Sequence, residues 1–84
     1  MNKMDVTDMV ILELLAEDVK AKEIARELDL SPSTISNRID RMEKACGYGL
    51  IERSKENKRR IKLTANGKRL ATKVVKAFKE VING

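Results

Sequence analysis

The chain has 84 residues with one cysteine, Cys46, and no histidine, which excludes an intrachain disulfide and leaves a lone thiol that cannot build a zinc site. Its net charge of +5 is unevenly divided: residues 1–43 hold 6 Lys/Arg against 10 Asp/Glu, and residues 44–84 hold 12 against 3. So basic a half points to a polyanionic partner. Tyr48 and Phe78 are the only aromatic residues, which favours duplex DNA over single strands or RNA, whose bases stack on aromatic side chains.

The first predicted helix runs from Val6 to Leu15, with Asp5 as its cap and Asp8 at the third helical position. Its apolar residues (Met9, Val10, Ile11, Leu12, Leu14, Leu15) surround the axis, so burial is expected on every side, one of them against a partner subunit. A second helix is read from Lys20 to Leu28, with Ile24, Ala25 and Leu28 on one face. Ala25 supplies the small residue needed where two steeply crossed helices meet. After Asp29-Leu30, Ser31 caps a third helix and Pro32 occupies its first position, where the missing N–H costs nothing. Ile35, Ile39 and Met42 line the buried side of this helix, which ends near Gly47. Cys46 reads as a small buried apolar residue.

Successive residues 100° apart place Ser33, Asn37, Asp40, Arg41 and Lys44 opposite that buried side, with Thr34 and Ser36 on the flanks. Short polar side chains let a helix approach base edges in the major groove, and Asn can pair both groups of an adenine edge. Beyond the helix, Leu50-Ile51-Glu52-Arg53 and Arg60-Ile61-Lys62-Leu63 alternate around a polar turn, which predicts a β-hairpin. Lys55, Lys58, Arg59, Arg60 and Lys62 make it a basic wing suited to phosphates. Thr64 caps a last helix, Ala65 to about Ile82. Helix, helix, helix, hairpin, helix is a mainly α winged helix-turn-helix, one domain over residues 1–84.

The last helix splits into Leu70, Ala71, Val74, Val75, Ala77, Phe78, Val81 and Ile82 on one side and Lys68, Arg69, Lys73, Lys76 and Lys79 on the other. A chain this short has a marginal core, and so wide an apolar stripe suggests a second subunit.

The stretch from Leu28 to Leu70 resembles the DNA-binding domain of LysR-type regulators and the related ModE-like domains. The resemblance rests on Leu28-Asp29-Leu30-Ser31, Ile35-Ser36, Ile39, Arg41-Met42-Glu43 and Gly47. It continues through Leu50-Ile51-Glu52-Arg53 and Leu63-Thr64-Ala65-Asn66-Gly67 to Leu70. Ser31-Pro32-Ser33-Thr34 also looks like Lrp/AsnC regulators, although the wing and the threonine-to-glycine segment favour LysR. The resemblance implies that Pro32, Ser33, Thr34, Ser36, Asn37 and Arg38 occupy DNA-contact positions, and that Arg53 lies near the phosphates with the wing residues Lys58, Arg59 and Arg60. It further implies a homodimer through residues 64–83, with Leu70, Val74, Ala77, Phe78 and Val81 in the seam. Pro32 departs from the family's usual glutamine, and Asp40 places a negative charge near the DNA.

The expected function is therefore a sequence-specific, dimeric, DNA-binding transcription regulator. The chain stops at Gly84 without a large effector-binding domain, so no small-molecule effector is expected, and no cofactor or metal. No glycine-rich phosphate loop or nucleophile with an adjacent base suggests an enzyme. A protein-interaction module of the same shape and a sequence-independent architectural binder are the alternatives. With no signal peptide at Met1 to Asp8 and no apolar run of about 20 residues, the expected location is the cytoplasm, at the nucleoid, without a membrane partner.

Overall fold

The computed structural model describes residues 4–56 and 61–83. Helix α1, Val6–Ala16, starts at a reciprocal capping box. The Asp8 N–H donates to Asp5 Oδ1 at 2.9 Å, and the Asp5 N–H donates to Asp8 Oδ2 at 3.3 Å. The two carboxylates satisfy N–H groups that have no partner within the helix. Helix α2, Ala21–Glu27, follows after Asp18 turns through φ +65°. It ends at Leu28, and Asp29 at φ +55° reverses the chain so that the Leu30 N–H reaches the Ala25 carbonyl at 2.8 Å. Aspartate tolerates this left-handed conformation better than most residues.

Helix α3, Pro32–Cys46, then departs from Ser31, whose hydroxyl accepts the Thr34 N–H at 3.1 Å. Gly47, at φ +80°, ends it. Strands β1, Ile51–Arg53, and β2, Ile61–Leu63, pair antiparallel with Ile51 opposite Leu63, Glu52 opposite Lys62 and Arg53 opposite Ile61. Helix α4, Ala65–Asn83, completes the order. Three helices, a hairpin and a long last helix make the fold a winged helix-turn-helix, mainly helical, as the pattern predicts.

The base of α4 shows why threonine and glycine stand three residues apart. The Thr64 N–H donates to the Leu50 carbonyl at 2.9 Å, and the Thr64 hydroxyl donates to the Gly49 carbonyl at 2.9 Å. The same hydroxyl oxygen accepts the Gly67 N–H at 3.0 Å, capping the helix. Gly67 is buried here, and a β-carbon on it would run into the Leu50 carbonyl. One turn of helix is thereby fastened to the strand entry that precedes β1.

Ile11, Leu12, Ile24, Ile35, Ile39 and Leu50 are fully buried, with Leu15, Ala25, Met42, Leu63 and Ala71 around them. α1 lies along α4 and also touches α2, α3 and β2, while α2 packs on α3. The expectation that α1 is buried all round needs correction. Ile11, Leu12 and Leu15 are buried, Met9, Val10 and Leu14 half-buried, and Val6 exposed. The neighbouring elements cover one broad side of α1, and that side includes Asp8, at 2% exposure. Leu28, Leu30 and Cys46 are half-buried against the core rather than inside it.

Candidate nucleic-acid interface

Burying Ile35, Ile39 and Met42 turns the opposite side of α3 outward. There a shallow concavity of ≈ 440 Å³ is lined by Thr34, Asn37, Arg38, Asp40, Arg41 and Lys44. Asn37, Arg41 and Lys44 are exposed, and Thr34 and Arg38 are half-buried. Neither Asn37 nor Lys44 has a polar partner among the described residues. An amide with both its groups unspent can take both groups of a base edge.

The start of α3 differs. The Ser31 hydroxyl lies 2.8 Å from the Thr34 hydroxyl and 3.1 Å from the Ser33 hydroxyl, so three short side chains share one cluster. Pro32 and Ser33 are exposed, while Ser36 is half-buried. The structure therefore brings Thr34, Asn37, Arg38 and Arg41 into one patch and places Pro32, Ser33 and Ser36 outside its lining.

Arg38 has protein partners of its own. Its Nη1 donates to Asp5 Oδ2 at 2.9 Å, Asp5 Oδ1 at 3.1 Å and Asp8 Oδ1 at 3.1 Å. The Arg38 side chain is 25% exposed and the Asp8 side chain almost wholly covered. Arg41 Nη2 stands 3.9 Å from the other Asp8 oxygen, too far for a hydrogen bond but close enough for attraction. The Asp8 N–H, then the Arg38 guanidinium, hold the Asp5 carboxyl below its usual pKa. Donating hydrogen bonds to Asp5 and Asp8 raises the pKa of Arg38. Asp5 and Asp8 were not among the sequence's candidates. A readable signal existed: an acidic residue on a helix expected to be buried needs a cation beside it.

A second residue outside those candidates joins α3 to the wing. Glu43 Oε2 accepts the Leu50 N–H at 2.7 Å and the Ile51 N–H at 3.4 Å, so α3 sets where β1 begins. On the wing, Glu52, Arg53, Ser54 and Lys62 line a depression of ≈ 250 Å³. Arg53 and Lys62 are both exposed. Lys58, Arg59 and Arg60 lie outside the described residues.

On α4, the predicted seam divides. Leu70 and Val74 are half-buried, whereas Ala77 is exposed, Phe78 is 47% exposed and Val81 82%. Beside them a groove of ≈ 670 Å³ runs between Glu13, Ala16 and Glu17 of α1 and Ala71, Thr72, Val75, Lys76, Lys79 and Glu80 of α4. Among the described residues no group of three His, Cys, Asp or Glu side chains could hold a metal ion. No described helix is long and apolar enough to cross a membrane.

Residues 4–43 match the model of the AsnC-type helix-turn-helix domain. An uncharacterized HTH-type transcriptional regulator of Sinorhizobium fredii, y4mQ, is 37% identical over 76 residues, which are 90% of this chain and 24% of that protein. The chain thus spans about a quarter of the length of the curated relative it matches. Among solved structures, full-length OxyR from Pseudomonas aeruginosa, a LysR-type regulator, superposes with a TM-score of 0.78 at 22% identity, covering 96% of this chain and 26% of that one. ArgP from Mycobacterium tuberculosis superposes with a TM-score of 0.68 at 25% identity, covering 96% and 30%. The geometry of α2 and α3 is that of a helix-turn-helix, and the match over residues 4–43 agrees with it. The family model that matches, over residues 4–43, is AsnC-type, and the superpositions show a shared winged helix-turn-helix fold.

Proposed function

We propose that this chain binds duplex DNA sequence-specifically as a homodimer and regulates transcription. The observation that carries this reading is the outward patch of α3, where Asn37 and Lys44 have no partner among the described residues and Arg41 is largely exposed. The AsnC-type match over residues 4–43 and the HTH-type regulator among its relatives support it. In this reading Asn37, with Ser33 and Thr34, meets base edges in the major groove. Arg41, Lys44, Arg53 and Lys62 meet phosphates, which position the protein without reading sequence. Lys58, Arg59 and Arg60, by their charge, add to that phosphate contact in the same reading.

The second copy docks on the distal part of α4. Leu70 and Val74 already pack partly on their own domain, so the seam centres on Ala77, Phe78 and Val81. Covering such apolar surface stabilises the pair by about 25 cal/mol per Å². A two-fold dimer would set two α3 helices on one face of the duplex, about one helical turn of roughly 34 Å apart or a multiple of it.

Selection of duplexes from a random library tests the reading directly. An inverted repeat should emerge, and binding to it should fall with a log–log salt slope of about −0.9 for each phosphate engaged. Asn37→Ala should relax preference at one or two positions, and Lys62→Ala should weaken selected and random duplexes alike. A library that returns no enriched sequence, with RNA competing as well as DNA, would leave only a charge-driven nucleic-acid binder.

A further inference from the structure

The cluster of Asp5, Asp8, Arg38 and Arg41 is more than a capping arrangement. Two carboxylates that fasten the first turn of α1 also reach across 30 and 33 residues of chain to one nitrogen of Arg38. Asp8 is buried, and a carboxylate taken out of water needs donors and cations around it. Here they are the Asp5 N–H, Arg38 and, farther off, Arg41. Arg38 follows Asn37 directly on α3, so anchoring Arg38 fixes the edge of the helix beside that exposed amide. The hydrophobic residues Ile35, Ile39 and Met42 hold α3 from beneath. The acidic pair holds it from the side.

The same contacts spend positive charge. Asp5 and Asp8 place two negative charges against two arginines at the border of a surface suited to phosphates. An arginine freed from them would add affinity for any duplex and carry no sequence information. We propose that Asp5 and Asp8 are specificity-determining positioning residues, which hold Arg38 and draw Arg41 toward α1 so that neither adds indiscriminate phosphate binding while Asn37 is kept in register. This rests on the DNA-binding reading above.

Asp5→Asn tests it with little structural disturbance, because asparagine caps a helix about as well as aspartate. The full chain is titrated with a duplex selected from a random library and with a scrambled duplex of the same length and composition, across a range of salt. Asp5→Asn should bind the scrambled duplex more tightly than the parent does, with a slope steeper by about 0.9 for each arginine released in each subunit. Its preference for the selected duplex should fall at least threefold. A gain in affinity cannot come from unfolding, which separates this role from a merely structural one. Arg38→Gln removes the main partner of both aspartates, so in that background Asp5→Asn should change preference much less. Unchanged binding of both duplexes by Asp5→Asn, or an equal loss on both, overturns the proposal while leaving the DNA-binding reading standing. A parent chain that binds neither duplex overturns both.

Discussion

Helices α3 and α4 both carry residues that the monomer's core does not cover, and they are secured in different ways. α3 is capped by Ser31, terminated by Gly47, packed from below through Ile35, Ile39 and Met42, and tied sideways to α1 through Arg38. Its exposed side is polar. α4 is fastened hard at its base, where Thr64 and Gly67 meet the strand entry at Gly49 and Leu50, and Ala71 is its last buried residue among those described. From Ala77 onward its apolar side is open. In the proposed function, α3 presents side chains to DNA and is held in place by its own chain, whereas the open apolar side of α4 is covered by a second copy.

Substitutions at Ile39 and Val81 should pull the two helices furthest apart. Ile39 is fully buried beneath the outward polar patch of α3, and Ile39→Ala should lower stability by about 2–5 kcal/mol, the usual range for emptying such a site. Val81→Ala, at an exposed position, should change the stability of the monomer by no more than about 0.5 kcal/mol. Urea denaturation of both variants at low concentration measures this. Val81→Glu sharpens the contrast: self-association in sedimentation should be lost, and binding to a full inverted repeat should weaken far more than binding to a half-site. A wild-type chain that sediments as a folded monomer well above the concentration at which it binds DNA would remove the second copy from the account.

The base of α4 gives the next largest effect. Gly67→Ala pushes a β-carbon toward the Leu50 carbonyl, and backbone cannot yield as a flexible side chain can. The helix must shift, at a cost of about 1–3 kcal/mol by analogy with overpacked cores. Because Leu50 also leads into β1 and bonds to Glu43, the shift should reach the wing. Near-ultraviolet spectra report poorly on a chain with one tyrosine and one phenylalanine, so amide exchange at Ile51 and Thr64 is the measurement. Faster exchange there, with protection in α2 unchanged, is the expected result.

Local chemistry made much of this legible in the sequence. Asp5, Ser31, Gly47 and Thr64 each mark a helix end by the side chain or backbone freedom that the end requires, and the helices begin or stop at them. The period-two runs located both strands, although Leu50 lies just outside β1 and is buried as a link to α4. Contacts distant in sequence were harder to read. Asp8 at the third helical position is fully explained by capping, and that local explanation conceals its partnership with Arg38, 30 residues on. Arg38 is taken as a DNA contact only through the resemblance to LysR-type regulators, and a family position does not show that a guanidinium has partners within its own chain. On α4, periodicity gives the apolar side but not the point at which the rest of the domain stops covering it.

Acid should expose the sideways tie of α3 with the smallest of these effects. The Asp5 carboxyl is held below its usual pKa, first by the Asp8 N–H and then by Arg38. A depressed folded-state pKa means that the stabilisation is fully present above the unfolded carboxylate value and is lost as pH falls through the folded one. From neutral pH down to the ordinary carboxylate range, this group's contribution to stability should therefore stay constant. Below that range the parent should lose stability more steeply than Asp5→Asn, which has no carboxyl to protonate at that position. Asp5 is about half exposed, so the difference is expected to be modest and to shrink with added salt. Denaturation midpoints of parent and variant measured from pH 7 downward decide the matter. Parallel curves through the acid range would mean that Asp5 gains nothing from Arg38, and the lateral anchor of α3 would then rest on Asp8 alone.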